Sequence, residues 1–164
     1  MTHAETARVT TFVSVSPQDA FAAFTEQIDL WWRRGPRYRM LRGDDSVLHF
    51  ERDRTGRRLI ERLGEQVFEI GRVLHWEPGR RLVFEWKAPN FAPDDCTEVE
   101  VRFETSGKGT RVTLEHRGWD AIRSDHPVRH GQQGSAFSAR IGANWGQHLG
   151  VYRLLANGTA PRDR

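Results

Sequence analysis

The sequence contains one cysteine, no long apolar run and almost no lysine, and each shortage excludes a class of protein or site. Cys96 alone cannot form an intramolecular disulfide, and one thiol cannot build a cysteine-rich zinc site. No segment approaches the roughly 18 successive apolar residues of a transmembrane helix. Residues 1–5 lack both the charged start and the apolar stretch of a signal peptide. These absences predict a cytoplasmic protein that does not insert into membranes.

The shortage of lysine also explains a misleading isoelectric point of about 9.6. Lys87 and Lys108 are the only lysines among 25 basic residues, and the arginines that make up the rest stay protonated past about pH 12. Because the formal net charge is only +3, the high isoelectric point reflects arginine usage and does not indicate nucleic-acid binding.

One local excess of positive charge remains, since residues 31–42 contain two adjacent tryptophans, five arginines and no acid. Aromatic residues between arginines are able to stack bases and neutralise phosphates. The interpretation that we favour is an arginine-coated loop, because the rest of the chain offers no wider basic surface. Nucleic acid is therefore not expected as a partner.

The chain is predicted to form one domain, because its 164 residues contain no linker, repeat or low-complexity tract. We assign the domain to residues 1–164 and its folded core to about residues 8–156. Residues 8–15 are β-branched and aromatic, which predicts a first strand. Ser16-Pro17 then starts a helix that ends near Glu26, and a second short helix is predicted for residues 28–31.

From residue 46 onward apolar and polar residues alternate, which predicts six further strands. They are residues 46–52, 57–63, 66–76, 81–88, 96–106 and 109–117, joined into an antiparallel meander with one apolar face. About residues 132–156, apolar side chains recur at helical spacing, so a final helix covers that face. The predicted fold class is α+β: a curved antiparallel β-sheet of six to seven strands wrapped around a long C-terminal helix.

Several segments in this order resemble the START-like helix-grip (SRPBCC) superfamily. The resemblance is carried by residues 15–21 (V-S-P-Q-D-A-F), 31–32 (W-W), 71–78 (G-R-V-L-H-W-E-P), 81–86, 110–119 and 144–146. It spans about residues 8–156 and points to the branch similar to the C-terminal domain of the activator of the Hsp90 ATPase (AHSA1-like). It implies the helix-grip fold and a tryptophan that closes the mouth of the sheet. This scaffold carries ligand binders, cyclases and co-chaperone modules alike.

Aromatic side chains are expected to converge where the sheet meets the final helix. Large flat side chains with few polar groups suit an apolar or aromatic ligand held in a cavity. The same side chains can instead fill a solid core, and the sequence leaves both interpretations open. The predicted apolar ligand-binding residues are Trp76, Phe84, Trp86, Phe103, Trp119, Ile141 and Trp145.

Two polar residues, Arg72 and Glu61, are predicted as anchors for such a ligand. Strict alternation along residues 66–76 turns Arg72 inward, where its guanidinium needs either an acid such as Glu61 or an anionic ligand group as a partner. The alternative is a β-bulge at Gly71, which shifts the register and returns Arg72 to solvent.

His116 is the third predicted polar anchor, because it shares strand parity with apolar residues and should face the final helix near Trp119. A buried histidine can act as an acid or a base near neutral pH, but it can equally be a core residue with satisfied hydrogen bonds. His126 and His130 have the spacing of a helical metal pair. Pro127 and the lack of an adjacent glutamate favour a loop there, so no metal and no cofactor are expected.

Three functions follow from these observations and the resemblance. The first is binding of a hydrophobic small molecule between the sheet and the final helix. The second is a chaperone-linked interaction domain for an Hsp90-type partner, which is disfavoured because the chain has no room for the additional amino-terminal domain of the full activator. The third is an enzyme of polyketide cyclase or aromatase type, although no catalytic residue is assigned. Assembly as a homodimer is also open.

Overall fold

The structure, a computed structural model, describes residues 5–158 and has the predicted α+β architecture. A seven-stranded antiparallel sheet is combined with two short helices after the first strand and a long helix at the end. The strands are β1 (Ala7–Val13), β2 (Val47–Asp53), β3 (Gly56–Leu63), β4 (Gln66–Glu77), β5 (Arg81–Trp86), β6 (Thr97–Ser106) and β7 (Gly109–Arg117). The helices are α1 (Pro17–Glu26), α2 (Ile28–Trp31) and α3 (Gly134–Ala156), with short 3-10 helices at Trp119–Ala121 and Pro127–Arg129. The predicted core, residues 8–156, lies within the described range, whereas residues 1–4 and 159–164 of the predicted domain lie outside it.

The strands follow the order β1-β7-β6-β5-β4-β3-β2, so the chain forms a meander from β2 to β7 and then places β7 beside β1. Every neighbouring pair is antiparallel. Strand β1 therefore forms the edge of the sheet opposite β2 and pairs with β7, with Ala7 opposite His116 and Val13 opposite Thr110. This pairing brings the amino-terminal segment next to the end of β7.

Helix α1 begins where local chemistry predicts. The Ser16 hydroxyl accepts a hydrogen bond from the backbone N–H of Asp19 at 3.1 Å, and Pro17 occupies the first helical position. Helix α3 starts at Gly134, two residues later than predicted, and buries one face against the sheet and α1. The Tyr152 hydroxyl donates to the Ala20 carbonyl at 2.7 Å, which links α3 to α1.

Strand β4 contains the register shift that the sequence left open. Leu59 of β3 pairs with Gly71, but the next residue, Ile60, pairs with Glu69, so Ile70 is an extra residue in β4. A second irregularity follows opposite β5, where Leu74 is left without a paired partner and its side chain is 47% exposed. Of the two alternatives, the bulge is the one present, beside Gly71, and the inward orientation of Arg72 is wrong because strict alternation does not hold through a bulge.

Gly71 shows why a residue without a side chain stands at this bulge. A Cβ atom there would lie 1.6 Å from the carbonyl oxygen of Glu85 on the neighbouring strand. The backbones of β4 and β5 approach each other so closely that only glycine fits.

The interior contains two groups of buried side chains. The larger fills the space between α1, α2, α3 and the sheet, and includes Phe24, Phe84, Phe103, Leu149 and Tyr152. The smaller consists of Trp119, Ile122 and Phe137, and lies where the segment after β7 packs on the start of α3. The sheet–helix interface is thus a packed core over much of its length.

Candidate functional site

A cleft of about 540 Å³ opens between α3 and the end of the sheet where β5 and β7 finish. Five segments line it: the loop after α2, the end of β5 with the loop that follows, the end of β7, the segment from Trp119 to His130, and one face of α3. The face of α3 contributes Arg140, Ile141, Asn144, Trp145 and His148.

Four of the six tryptophans in the chain line this cleft: Trp32, Trp86, Trp119 and Trp145. The ring centroids of Trp32 and Trp145 lie 5.3 Å apart, and those of Trp86 and Trp119 lie 5.6 Å apart. Such edge-to-face and tilted contacts hold large rings in fixed orientations. The cleft therefore has aromatic walls of defined shape.

His116 connects two of these tryptophans through hydrogen bonds to both of its ring nitrogens. The Trp145 indole N–H donates to Nδ1 at 3.0 Å, so a neutral His116 carries its proton on Nε2. That Nε2–H donates to the Thr97 hydroxyl at 2.7 Å, and Thr97 donates in turn to the carbonyl of Trp86. Burial lowers the pKa of His116 to about 3. His116 is thus a neutral, fully bonded histidine that orients the aromatic walls.

His148 stands one helical turn after Trp145 and is bonded on one side only. Its Nδ1 accepts the backbone N–H of Arg33 at 3.1 Å, which joins α3 to the loop after α2. Burial, followed by the positive charges of Arg33 and Arg39, lowers the pKa of His148 to about 3. The neutral ring therefore carries its proton on Nε2, and no residue between 5 and 158 accepts a hydrogen bond from that atom.

The loop after α2 is held in place by a buried arginine. Arg39 donates to Asp29 Oδ1 at 2.7 Å, to the Trp32 carbonyl at 2.6 Å and to the Ser46 carbonyl at 3.0 Å. Arg34 also binds Asp29, at 2.9 Å. Two of the five arginines of the basic segment thus hold this loop through Asp29, and Trp32, which precedes them in the chain, is fixed at the mouth of the sheet.

Glu61 supports the same loop and does not pair with Arg72. Its carboxylate accepts the backbone N–H groups of Met40 at 2.8 Å and of Leu41 at 2.9 Å. Arg72 lies on the other side of the sheet, where its guanidinium donates to Asp53 Oδ2 at 2.6 Å and to the Thr55 hydroxyl at 2.7 Å. Neither of the partners considered for an inward Arg72, Glu61 or an anionic ligand group in the cleft, applies, because Arg72 binds Asp53 and neither Arg72 nor Glu61 lines the cleft.

The opposite wall, residues 119–130, is held by Arg129 and His126. Arg129 is buried, forms an ion pair with Glu5, and donates to the carbonyls of Trp119 and Ile122 at 2.6 and 2.8 Å. The His126 Nδ1 accepts the N–H of Val128 at 3.0 Å, and its Nε2 lies 3.2 Å from the Asn90 carbonyl oxygen. Both nitrogens of His126 are engaged in holding this loop, and within the described part of the chain no three His, Cys, Asp or Glu side chains cluster as metal ligands.

Five of the ten predicted ligand-binding residues line the cleft: Trp86, His116, Trp119, Ile141 and Trp145. The other five lie elsewhere. Phe84 and Phe103 belong to the packed core, and Trp76 contacts Phe21 and Phe50 under the Arg57 guanidinium on another part of the surface. Glu61 and Arg72 have the structural roles described above.

Sequence reasoning missed Trp32, Arg37, Tyr38, Arg140, Asn144 and His148 as cleft residues. For α3 a signal was present, because Asn144 and His148 follow Ile141 and Trp145 by three residues and so share their face of a helix. For the loop after α2 no local signal exists, since its position depends on distant hydrogen bonds such as that between Arg33 and His148.

The family model that matches this chain is described as Activator of Hsp90 ATPase homolog 1-like protein and covers residues 14–141. Among similar solved structures, CalU16 from Micromonospora echinospora is 18% identical, with a TM-score of 0.59 over 95% of this chain and 76% of CalU16. The Aha1 dimer from Colwellia psychrerythraea is 14% identical, with a TM-score of 0.58 over 95% of this chain and 98% of that one. DynU16, a protein of the dynemicin biosynthetic locus, is 21% identical with a TM-score of 0.60, and the match covers 94% of this chain and 48% of DynU16. At these identities the likeness concerns the fold.

A search of the curated proteins found no match to this chain. None of the helices between residues 5 and 158 is both long and apolar enough to cross a membrane.

Proposed function

The chain belongs to the Activator of Hsp90 ATPase homolog 1-like family, and from that premise we propose that it binds a hydrophobic, aromatic small molecule in the cleft between α3 and the sheet. The observation that carries this proposal is the cleft itself, with about 540 Å³ of space and four tryptophans in its lining. Small-molecule sites in proteins have volumes of roughly 300–1,000 Å³, mostly apolar walls and a few polar groups.

The walls of the cleft are organised before any ligand arrives. Trp145 is oriented by its hydrogen bond to His116, and the Trp32 indole N–H donates to the Tyr38 carbonyl at 3.1 Å. A ligand that enters between fixed rings loses little free energy to ordering the protein. This organisation supports binding more than it supports a flexible protein-interaction surface.

The chemistry of the lining favours binding over acid–base catalysis. None of the lining residues is aspartate or glutamate. His116 has both ring nitrogens engaged, so it has no free lone pair with which to accept a proton from a substrate. A cyclase-type reaction and a chaperone-linked role stay predictions from the resemblance. A homodimer, which the sequence leaves open, has a counterpart in the Aha1 dimer.

Titration with N-phenyl-1-naphthylamine, a neutral aromatic probe that fluoresces in apolar surroundings, tests the proposal. We expect saturable binding to the wild-type protein. Ile141→Trp places a bulky ring in the cleft and should abolish that binding. Val47→Trp is the matched control, because Val47 is an exposed residue of β2 outside the cleft and the same ring there should leave binding unchanged.

Circular dichroism and melting curves would establish that both variants are folded. Absence of saturable binding to the wild-type protein would overturn the proposal. So would undiminished binding to a folded Ile141→Trp variant. Native mass spectrometry of protein purified from its own cells would then identify a copurified ligand by its mass.

A further inference from the structure

The charges around the cleft are unbalanced. Arg37 and Arg140 line it, and no lining residue is acidic. Two buried arginines elsewhere are matched by carboxylates: Arg39 by Asp29 and Arg129 by Glu5. Arg37 and Arg140 form no ion pair with any carboxylate between residues 5 and 158.

Helix geometry brings the two arginines to the same side of the cleft. Arg140, Asn144 and His148 follow one another at intervals of four, so they form a stripe along one face of α3. Arg37, from the loop after α2, donates to Asn144 Oδ1 at 3.0 Å and so lies against the middle of that stripe. Because Asn144 uses its oxygen for Arg37, its amide N–H₂ group remains a donor.

Two N–H groups of lining residues also lack an acceptor among the described residues. Trp119 is 1% exposed, and its indole Nε1 has no hydrogen-bond partner. His148 is 4% exposed and, as shown above, presents a Nε2–H for which the described residues supply no acceptor. The Trp119 Nε1 is not accessible to solvent, so of these two groups only the His148 N–H is offered to a ligand oxygen in the cleft.

We propose that the ligand of this cleft is an aromatic anion, whose ring stacks among the tryptophans and whose negatively charged oxygens are bound by Arg140 and Arg37. This inference rests on the proposed function and adds the chemical class of the ligand. The Nε2–H of His148 supplies a further donor to an acceptor atom on the same molecule. Carboxylate, sulfonate and phenolate groups share the required chemistry, since each presents anionic oxygen to a guanidinium.

The test compares two probes that share an anilinonaphthalene ring system. N-phenyl-1-naphthylamine is neutral, and 1-anilinonaphthalene-8-sulfonate carries one sulfonate. We expect the wild-type protein to bind the sulfonate about tenfold or more tightly than the neutral probe, as a charge-assisted contact gives. Arg140→Gln should weaken the affinity for the sulfonate probe by about tenfold and change the affinity for the neutral probe by less than about twofold. Arg37→Gln should have an effect in the same direction.

Arg153→Gln is the matched control, because Arg153 is exposed on the same helix, does not line the cleft, and its loss changes the net charge equally. The proposal expects no change in either affinity for this variant. Binding of the sulfonate probe should also disappear in Ile141→Trp. That loss would show that the probe binds in the cleft and not on the arginine-rich surface.

Each other outcome is decisive. If both probes bind the wild-type protein with equal affinity, or if Arg140→Gln weakens both alike, the anion proposal is overturned while the proposed function stands. If Arg153→Gln weakens the sulfonate as much as Arg140→Gln does, the preference comes from net charge and the proposal is also overturned. If neither probe binds saturably, the proposed function and this inference fall together.

Discussion

Acidification from pH 7 to pH 5 should destabilise this protein through two buried histidines, His116 and His148. Burial lowers the pKa of each to about 3 in the folded protein, whereas a histidine in an unfolded chain has a pKa of about 6.5. At pH 5 the unfolded chain therefore binds a proton at each site that the folded protein does not bind. The free energy of unfolding must fall as the pH falls through this window.

The magnitude follows from the two pKa values. Between pH 7 and pH 5 each histidine contributes about 2 kcal/mol of lost stability, and the pair about 4 kcal/mol. The result changes little if the folded pKa is nearer 4, because both values lie below the window. The window ends at pH 5 because carboxylates in an unfolded chain begin to bind protons at about pH 4 and would add their own effect.

Urea unfolding at pH 7 and pH 5 measures this difference. We expect a decrease of about 4 kcal/mol for the wild-type protein and of about 2 kcal/mol for His148→Gln. His148→Gln also loses the acceptor for the Arg33 N–H, which lowers stability at both pH values and cancels in the comparison. His75→Gln removes an exposed imidazole from β4 and serves as the control, with the wild-type decrease retained.

An equal pH dependence in His148→Gln and the wild-type protein would refute the argument. So would an NMR titration in which the His116 and His148 rings protonate near pH 6.5 in the folded protein. Either result would mean that the two rings are not buried as described above.

Two further predictions concern the scaffold around the cleft. Gly71→Ala should lower the free energy of unfolding by at least about 3 kcal/mol, because its Cβ would overlap the Glu85 carbonyl. In α3, a Cβ added at Gly142 meets no atom within 4 Å, so Gly142→Ala should instead raise the free energy of unfolding by about 0.5–1 kcal/mol. Urea unfolding measures both changes, and two changes of the same sign would contradict the bulge geometry. Arg129→Met leaves the Glu5 carboxylate and two buried carbonyls without their donor, and should cost about 3–5 kcal/mol in the same assay. A loss below about 1 kcal/mol would show that Arg129 does not hold the wall of the cleft.

Local composition and periodicity were sufficient to predict the seven strands and three α-helices described here, but not the two 3-10 helices. Alternation of polar and apolar residues decides which face of a strand is buried, and the four-residue spacing from Phe137 to Leu149 does the same for α3. The strand bounds differ from the prediction by a few residues at most. The same patterns placed Ile141 and Trp145 on the side of α3 that faces the cleft, because residues four apart lie on the same face of a helix.

Where a pattern was interrupted, the sequence alone determined less. Arg72 points to Asp53 because one extra residue in β4 reverses the parity of the residues between it and the second irregularity at Leu74. A single glycine marks that position, but the close approach of Glu85 that requires the glycine belongs to another strand. The alternation of side chains is a property of a single strand, whereas a bulge depends on how that strand pairs with its neighbour.

The sequence by itself determined the order of the elements, the face that each buries and the aromatic character of the interior. Only the tertiary structure decided which aromatic residues border open space and which fill the core, and which arginines lack a carboxylate partner. The physical reason is distance along the chain: the bond from Arg33 to His148 joins residues 115 apart, and that between Arg129 and Glu5 joins residues 124 apart. Such contacts form only when the sheet has closed around α3, and they shape the cleft.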